Sequence, residues 1–560
     1  MSVSTALFSS LTGLGVNEAR LSVIGNNIAN ANTTAFKASR VTFQSAFAQT
    51  LSIGSAGSGD VAATNPMQIG LGAVVGATTM DFSPGGIGRT GRNTDLAIEG
   101  NGFFIVSHTD GTTYYTRDGS FTLNASLDLS SADGYIVQGF GVDVNYNVVP
   151  GILTNVNIPI GQATIARRTT EAVFAGNLNA AGDIGTQGSV LATQALVDTV
   201  SGVVSDTSNL VDLESVSDPG TALFSAGDTL SLRPTKGGRV LPTSTLTVTA
   251  TTTIGDLGNW IEGVVGIHID PAWPGPPGVS VNASDQIVIT GNVGTENRIA
   301  ASDIFLVSDG AVSRPFEFTA TQEANGESCR TSFAVYDSLG GDIVVDVTAV
   351  LEYLGPNGDN VVWRFFAESV DDTDPSIVLG SGTIAFDEKG AFTRATGTSI
   401  TVDRAGRGAA TPLLFDLDFS NMTSLVSNES EIALTTQDGA PMGTLTAFNV
   451  DQGGMVMGQF SNGLSAPMAQ IALATFSNPE GLLQQGDNLY VMGPNSGLPV
   501  VSAPGSLGAG TIVGGALEQS NVDMAREFIE LIVTSTGFAA NSRVISTANR
   551  LLTELLNVAS

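Results

Sequence analysis

Apolar residues near the N-terminus recur at a strict seven-residue interval, Leu7, Leu14, Leu21 and Ile28, with Val3, Leu11 and Ile24 on neighbouring turns of the same face. Such spacing predicts an amphipathic helix of about four heptads. A second repeat closes the chain: Met524, Leu531, Phe538, Ile545 and Leu552 stand seven apart, and Phe528, Ala548 and Leu555 widen the stripe. A lone amphipathic helix normally packs on its own domain. Here the interior reads as strand throughout and offers no helical layer, so the terminal helices are expected to pair with each other and with neighbouring copies.

From about Gly70 to Ser502 the pattern changes to short apolar runs punctuated by Gly, Asn, Asp and Pro, as in DLAIEGNGFFIV, TYYTRDGSFTL and GYIVQGFGVDV. Aromatic and β-branched residues at this spacing predict antiparallel strands joined by tight turns. The fold class is therefore multi-domain and mainly β, with terminal helices forming an inner, coiled-coil-like domain. A stretch rich in Thr, Val, Ser and Asp, with the Pro cluster PAWPGPPG at Pro271–Gly278, reads as an insertion. The expected domains are residues 1–50 with 515–560 (helical), 51–70 (an extended connector), 71–155 with 436–514 and 156–183 with 316–435 (β), and 184–315 (inserted).

Composition removes most chemistry. With 560 residues there is ample sequence for several cores, but only 13% are charged, and 22 basic against 53 acidic residues leave a net charge of -31. That charge repels phosphate backbones and anionic surfaces, so no nucleic-acid partner is expected. Three lysines (Lys37, Lys236, Lys389) and two histidines (His108, His268) leave few groups for acid–base work. Cys329 is the single cysteine, which rules out an intrachain disulfide framework or a thiolate metal cluster. Mean hydropathy is +0.21, yet polar residues break every run before about 18 apolar positions accumulate, so no membrane insertion is expected. The opening segment lacks the basic start of a secretory signal. A G-x-G-x-x-G match at Gly86, Gly88 and Gly91 is followed by strand rather than helix, which makes it a turn and not a phosphate cradle. Asp416 and Asp418 alternate along a strand without the Gly and Glu of a calcium loop. The two histidines are expected in loops or on strand surfaces. The reading is a non-enzyme with no cofactor, no metal and no catalytic residues.

Both chain ends carry recognisable text. GNNIANANTTAFKASR runs from Gly25 to Arg40, LEQSNVDMA from Leu517 to Ala525, and ANSRVISTANRLL from Ala540 to Leu552. Together they resemble the paired terminal signatures of the bacterial flagellar rod and hook proteins. The likeness continues through NPMQIGLG, TDLAIEGNGFFIV, YYTRDGSFTL and FSNPEGLLQQGDNLY in the right order. The middle segments FAVYDSLGGD, GTIAFDEKGAF and MGQFSNGLSAPMAQIALATF are most similar to the hook branch of that family. Carried over residue by residue, the N-terminal motif is Asn26, Asn27, Asn30, Asn32, Thr33, Phe36 and Lys37, and the C-terminal one Leu517, Glu518, Ser520, Asn521, Val522 and Asp523. Ala35 stands where family members usually carry Gly, and Ser535, Thr536, Gly537 and Phe538 replace a Gln-Arg-aromatic run.

The resemblance implies a structural subunit that polymerises into a curved hollow tube transmitting torque from rod to filament. Implied partners are further copies of itself, the flagellar rod, the hook cap, the hook–filament junction and the type III export apparatus, which exports the chain to the flagellum without cleaving its N-terminus. The implied assembly seams are Leu7, Leu11, Leu14, Leu21, Ile24 and Ile28 at one end, and Met524, Phe528, Leu531, Phe538, Ile545, Ala548, Leu552 and Leu555 at the other. Competing readings are a distal rod or other axial protein, an extracellular β-rich adhesin or surface-layer protein, and an enzyme carried on the insertion.

Overall fold

The computed structural model describes residues 3–57, 59, 62–144, 146–269, 276–301, 306–308, 315–355 and 361–559. Most of the Pro cluster, residues 271–275, lies outside them. Among the described residues there are three α-helices: α1 (Val3–Ala29), α2 (Ile254–Val265) and α3 (Met524–Ala559). Helix α2 corrects the expectation that the interior is strand alone. It is closed at its start by a capping box between Thr253 and Asp256 and at its end by the left-handed Gly266, and it buries Leu257, Ile261 and Val265.

The chain divides into two compact units, residues 1–163 with 444–560 and residues 164–443. In the first, strands Met455–Phe460, Ser465–Ile471, Ile136–Val142, Phe103–Ser107, Thr113–Thr116 and Leu489–Val491 lie side by side in one sheet. Edge-to-face rings form its core, with Phe103 5.8 Å from Phe476 and 5.7 Å from Tyr490, and Tyr115 4.9 Å from Phe476. The aromatics come from the segments GFFIV, YYTRDG, FSNPEG and DNLY, so the family-like text is core text. The glycines of the G-x-G-x-x-G match fall just before, in and after the short strand Ile87–Arg89, which pairs with Ala516–Glu518. Residues 51–70, expected as an extended connector, overlap a two-stranded arm in which Ala48–Ser52 pairs with Met67–Gly70. Its side chains are almost all exposed, so no apolar periodicity marks it.

In the second unit a five-stranded antiparallel meander runs from Ser328–Tyr336 through Asp342–Leu354, Val361–Glu368 and Val378–Phe386 to Phe392–Thr396. It shares one core, including Trp363, Phe365, Phe415 and Phe419, with a four-stranded sheet. In that sheet Glu171–Asn177 pairs in parallel with Leu413–Thr423, a correction to the all-antiparallel expectation. A parallel pair needs a long crossover, and more than 200 residues intervene here. Along Leu413–Phe419 burial alternates, with Leu413, Phe415, Leu417 and Phe419 buried, Leu414 and Asp416 exposed and Asp418 half-buried. Cys329 is buried in the same core, where desolvation pushes its thiol up to about 12. Residues 188–322 form a lobe with its own core, which includes Leu191, Leu230, Leu257, Ile289 and Phe316.

Candidate functional site: the junction of the two chain ends

Helices α1 and α3 pack antiparallel, and the contact is more polar than heptads suggest. Each helix carries G-x-x-x-N, Gly13 with Asn17 and Gly537 with Asn541. A Cβ added at Gly13 would sit 2.7 Å from the Asn541 amide, and one at Gly537 would sit 3.3 Å from Asn17 Oδ1. Each glycine thus makes room for the other helix's asparagine. At the far end of the contact Arg20 pairs with Glu530 at 3.2 Å.

Most predicted seam residues lie toward this contact, but not all. Ile24 and Ala548 are buried, and Leu7, Leu14, Leu21, Ile28, Leu531, Ile545 and Leu552 are half-buried. Leu11, Met524, Phe528 and Phe538 are exposed, with Leu11 at 61%. The side chain of Leu555 lies outside the described residues. The strict seven-residue spacing drifts about 20° per repeat round a straight helix, so it follows the packed face only in part. The face of α3 that is covered instead includes Leu531, the buried Thr534, Asn541, Ile545, Ala548 and Leu552, while Ile529, Ile532, Val533, Val544 and Leu551 stand exposed.

Beyond the helices the two motifs close on one another. The Asn27 amide clasps the backbone of Ser39, accepting from its N–H at 2.9 Å and donating to its carbonyl at 2.9 Å, and also donates to Glu527 Oε1 at 3.2 Å. Asn521 Oδ1 accepts from the Ala38 N–H at 2.8 Å, and its Nδ2 donates to the Asp81 carbonyl at 2.8 Å. The Ala35 N–H donates to the Glu518 carbonyl at 2.8 Å. Ala35 has φ 56°, so the left-handed turn persists without the family's glycine. Asp523 caps α3 by accepting from the Ala525 N–H at 3.0 Å.

At the centre Lys37 Nζ donates to Glu518 Oε1 at 2.7 Å, and both side chains are fully buried. Lys37 also reaches the Ser83 carbonyl at 2.8 Å, and Glu518 Oε1 accepts from the Gly85 N–H at 2.9 Å. Arg117 stands 3.5 Å from Glu518 Oε2, donates to the Gly100 carbonyl at 2.8 Å, and lies over the Phe103 ring at 5.3 Å. Burial lowers the pKa of Lys37 and of Arg117, against the pull of Glu518. One carboxylate therefore ties together the N-terminal motif, the C-terminal motif and the β-sheet.

The remaining motif residues support this knot locally. Asn30 Nδ2 donates to Asn26 Oδ1 at 3.0 Å and Thr33 donates to Asn30 Oδ1 at 3.1 Å. Phe36 is buried, Leu517 and Val522 are half-buried, the Ser520 hydroxyl accepts from the Val522 N–H at 3.3 Å, and Asn32 is exposed. Residue-by-residue reading missed Arg117, although it lies in YYTRDG, and missed the matched G-x-x-x-N pairs, which a search for one spacing in both helices would have found. The junction holds charges in fixed pairs and has the character of a structural joint. Among the described residues no group of His, Cys, Asp and Glu is placed to hold a metal ion.

The sequence matches several family descriptions along its length. Residues 9–37 match flagella basal body rod proteins, 97–191 the flagellar hook protein FlgE/F/G D1 domain, 306–440 the flagellar basal body protein FlaE D2 domain, and 513–558 the flagellar basal body rod FlgEFG C-terminal region. Among curated relatives, the flagellar hook protein of Treponema pallidum is 29% identical over 99% of both chains, and that of Borreliella burgdorferi 26% over 99% of both. The Escherichia coli hook protein is 25% identical over 99% of this chain and 100% of its own. With both terminal signatures folded into one joint and the likeness unbroken between them, the chain belongs to the family of flagellar hook and basal-body rod proteins.

Proposed function

We propose that this chain is the structural subunit of the bacterial flagellar hook, polymerising into a curved hollow tube that acts as a flexible joint between rod and filament. The observation that carries this reading is end-to-end similarity to hook proteins, 99% of both chains for the Treponema pallidum relative. Similarity confined to the terminal signatures would fit a rod protein equally. The reading implies contacts with further copies, the rod, the cap and the hook–filament junction, and passage through the type III export apparatus. Head-to-tail contacts between copies that do not close into a ring build such a tube. Residues 1–50 with 515–560 are assigned as its inner core, with the β-domains outward and residues 184–315 outermost.

Negative-stain electron microscopy of the polymerised chain tests this. Curved hollow tubes are expected. Straight rods would favour a distal rod protein, and planar lattices a surface layer.

A further inference from the structure

A second buried charge cluster lies far along the sequence from the terminal junction, inside the second unit. On adjacent strands of the meander, Asp346 and Glu368 stand directly opposite one another, and both are buried, at 2% and 5% exposure. Like charges in that position repel. The sheet's own Ser332 donates to Asp346, but the counter-charges come from the lobe formed by residues 188–322. Arg239 pairs with Asp346, Lys236 pairs with Glu368, and His268 Nε2 lies 3.7 Å from the same Glu368 oxygen. Lys236 also donates to the Gly266 carbonyl at 2.7 Å. Gly266, at the end of α2, lets Glu368 come close, for a Cβ there would be 3.0 Å from Oε1. Glu296 of the lobe and Arg330 of the sheet form a further pair at the rim, 3.8 Å apart.

His268 lies in a loop after α2, as expected, but the structure buries it. It is buried against Phe366, with ring centres 5.0 Å apart. The lobe and the meander have separate hydrophobic cores, and among the described residues a small buried cluster, Val293, Val350 and Phe366, spans them. Buried ion pairs therefore form a large part of what joins them.

We propose that residues 188–322 form an acid-releasable lobe, held on the meander by the clasp of Lys236, Arg239 and His268 on Asp346 and Glu368, which opens in acid while both hydrophobic cores persist. Two groups give the direction. Burial lowers the pKa of His268 below its ordinary 6.5, so the docked state resists its protonation, and docking weakens as pH falls through that value. Glu368 is held at about 2 against desolvation, chiefly by the Lys236 charge, so its contribution is present above 4.5 and is lost as pH falls toward 2. Opening thus begins below about pH 6.5 and deepens in stronger acid.

Hydrogen exchange of the full chain, corrected for intrinsic rates, reads this directly. The Glu296 N–H bonded to the Ser328 hydroxyl at 2.9 Å and the Ile377 N–H bonded to the Gly263 carbonyl at 3.0 Å report the contact. Strands Ile287–Val293 and Val361–Glu368 report the two cores. Between pH 7.5 and 4 the contact amides should lose at least about tenfold of protection while the core strands keep theirs. Lys236→Met, which leaves a buried carboxylate short of a partner, should open the contact at pH 7.5, and adding Glu368→Leu should restore it and flatten the acid response. Loss of protection at contact and cores together, no loss at the contact, or an unchanged acid response in the double variant would overturn the proposal.

Discussion

Ala35 occupies left-handed backbone at φ 56° with its side chain fully buried, where an L-residue pays roughly 1 kcal/mol. Ala35→Gly should raise the denaturant midpoint, by under about 1 kcal/mol in free energy because glycine also gains entropy in the unfolded chain. A drop would mean that the buried methyl contributes more than the strained φ costs. Glu518 carries the opposite kind of lesson. Its carboxylate answers two buried cations at once, Lys37 and Arg117. Glu518→Gln leaves both without a counter-charge and should cost on the order of 3 kcal/mol in urea unfolding of the full chain, whereas Glu480→Gln, whose residue is exposed, should change little. Asn26, Asn27, Lys37, Glu518 and Asn521 could be marked from the sequence as motif residues. What could not be read was the pairing, because their partners lie up to 500 residues away or are backbone groups such as Ser39 and Ser83.

Helices α1 and α3 were legible as elements because their periodicity is local. Their contact face was legible only in part, since it also includes Asn17, Thr534 and Asn541, which hydropathy discards. Strands with alternating burial, such as Leu413–Phe419, were equally plain, while the exposed pair Ala48–Ser52 and Met67–Gly70 had no apolar rhythm to betray it. The helix contact also carries a pH signature. Burial raises the pKa of Glu527, one of whose carboxylate oxygens is buried without a partner, although Asn27 donates to the other. A raised carboxylate destabilises the folded state at neutral pH, and the penalty disappears as pH falls through its folded value. Glu527→Gln should therefore stabilise α1 on α3 at pH 7, by under about 1 kcal/mol given its partial exposure, and should match the wild type near pH 4. A variant less stable at pH 7 would show that the charge itself is needed there.

The middle of the chain, residues 164–443, forms one compact unit, and the two chain ends together form the other, so the sequence runs out and returns. The terminal joint fixes both helices to the β-sheet of their own unit but leaves one apolar face of α3 bare. Ile529, Ile532 and Leu551 on that face are 63%, 63% and 53% exposed. Side chains of this size gain about 1.5–3 kcal/mol each when fully covered, and in a tube of identical copies the cover would be neighbouring subunits. That is the central claim, and electron microscopy of Ile532→Asp beside wild type tests it most directly. A carboxylate at this exposed position leaves the isolated chain as stable as before, which thermal melting checks in the same sample, but must lose its hydration at any helix contact between copies. The account predicts curved hollow tubes from the wild type and none from Ile532→Asp. Normal tubes from the variant would contradict it, because α3 would then not be the surface by which subunits assemble.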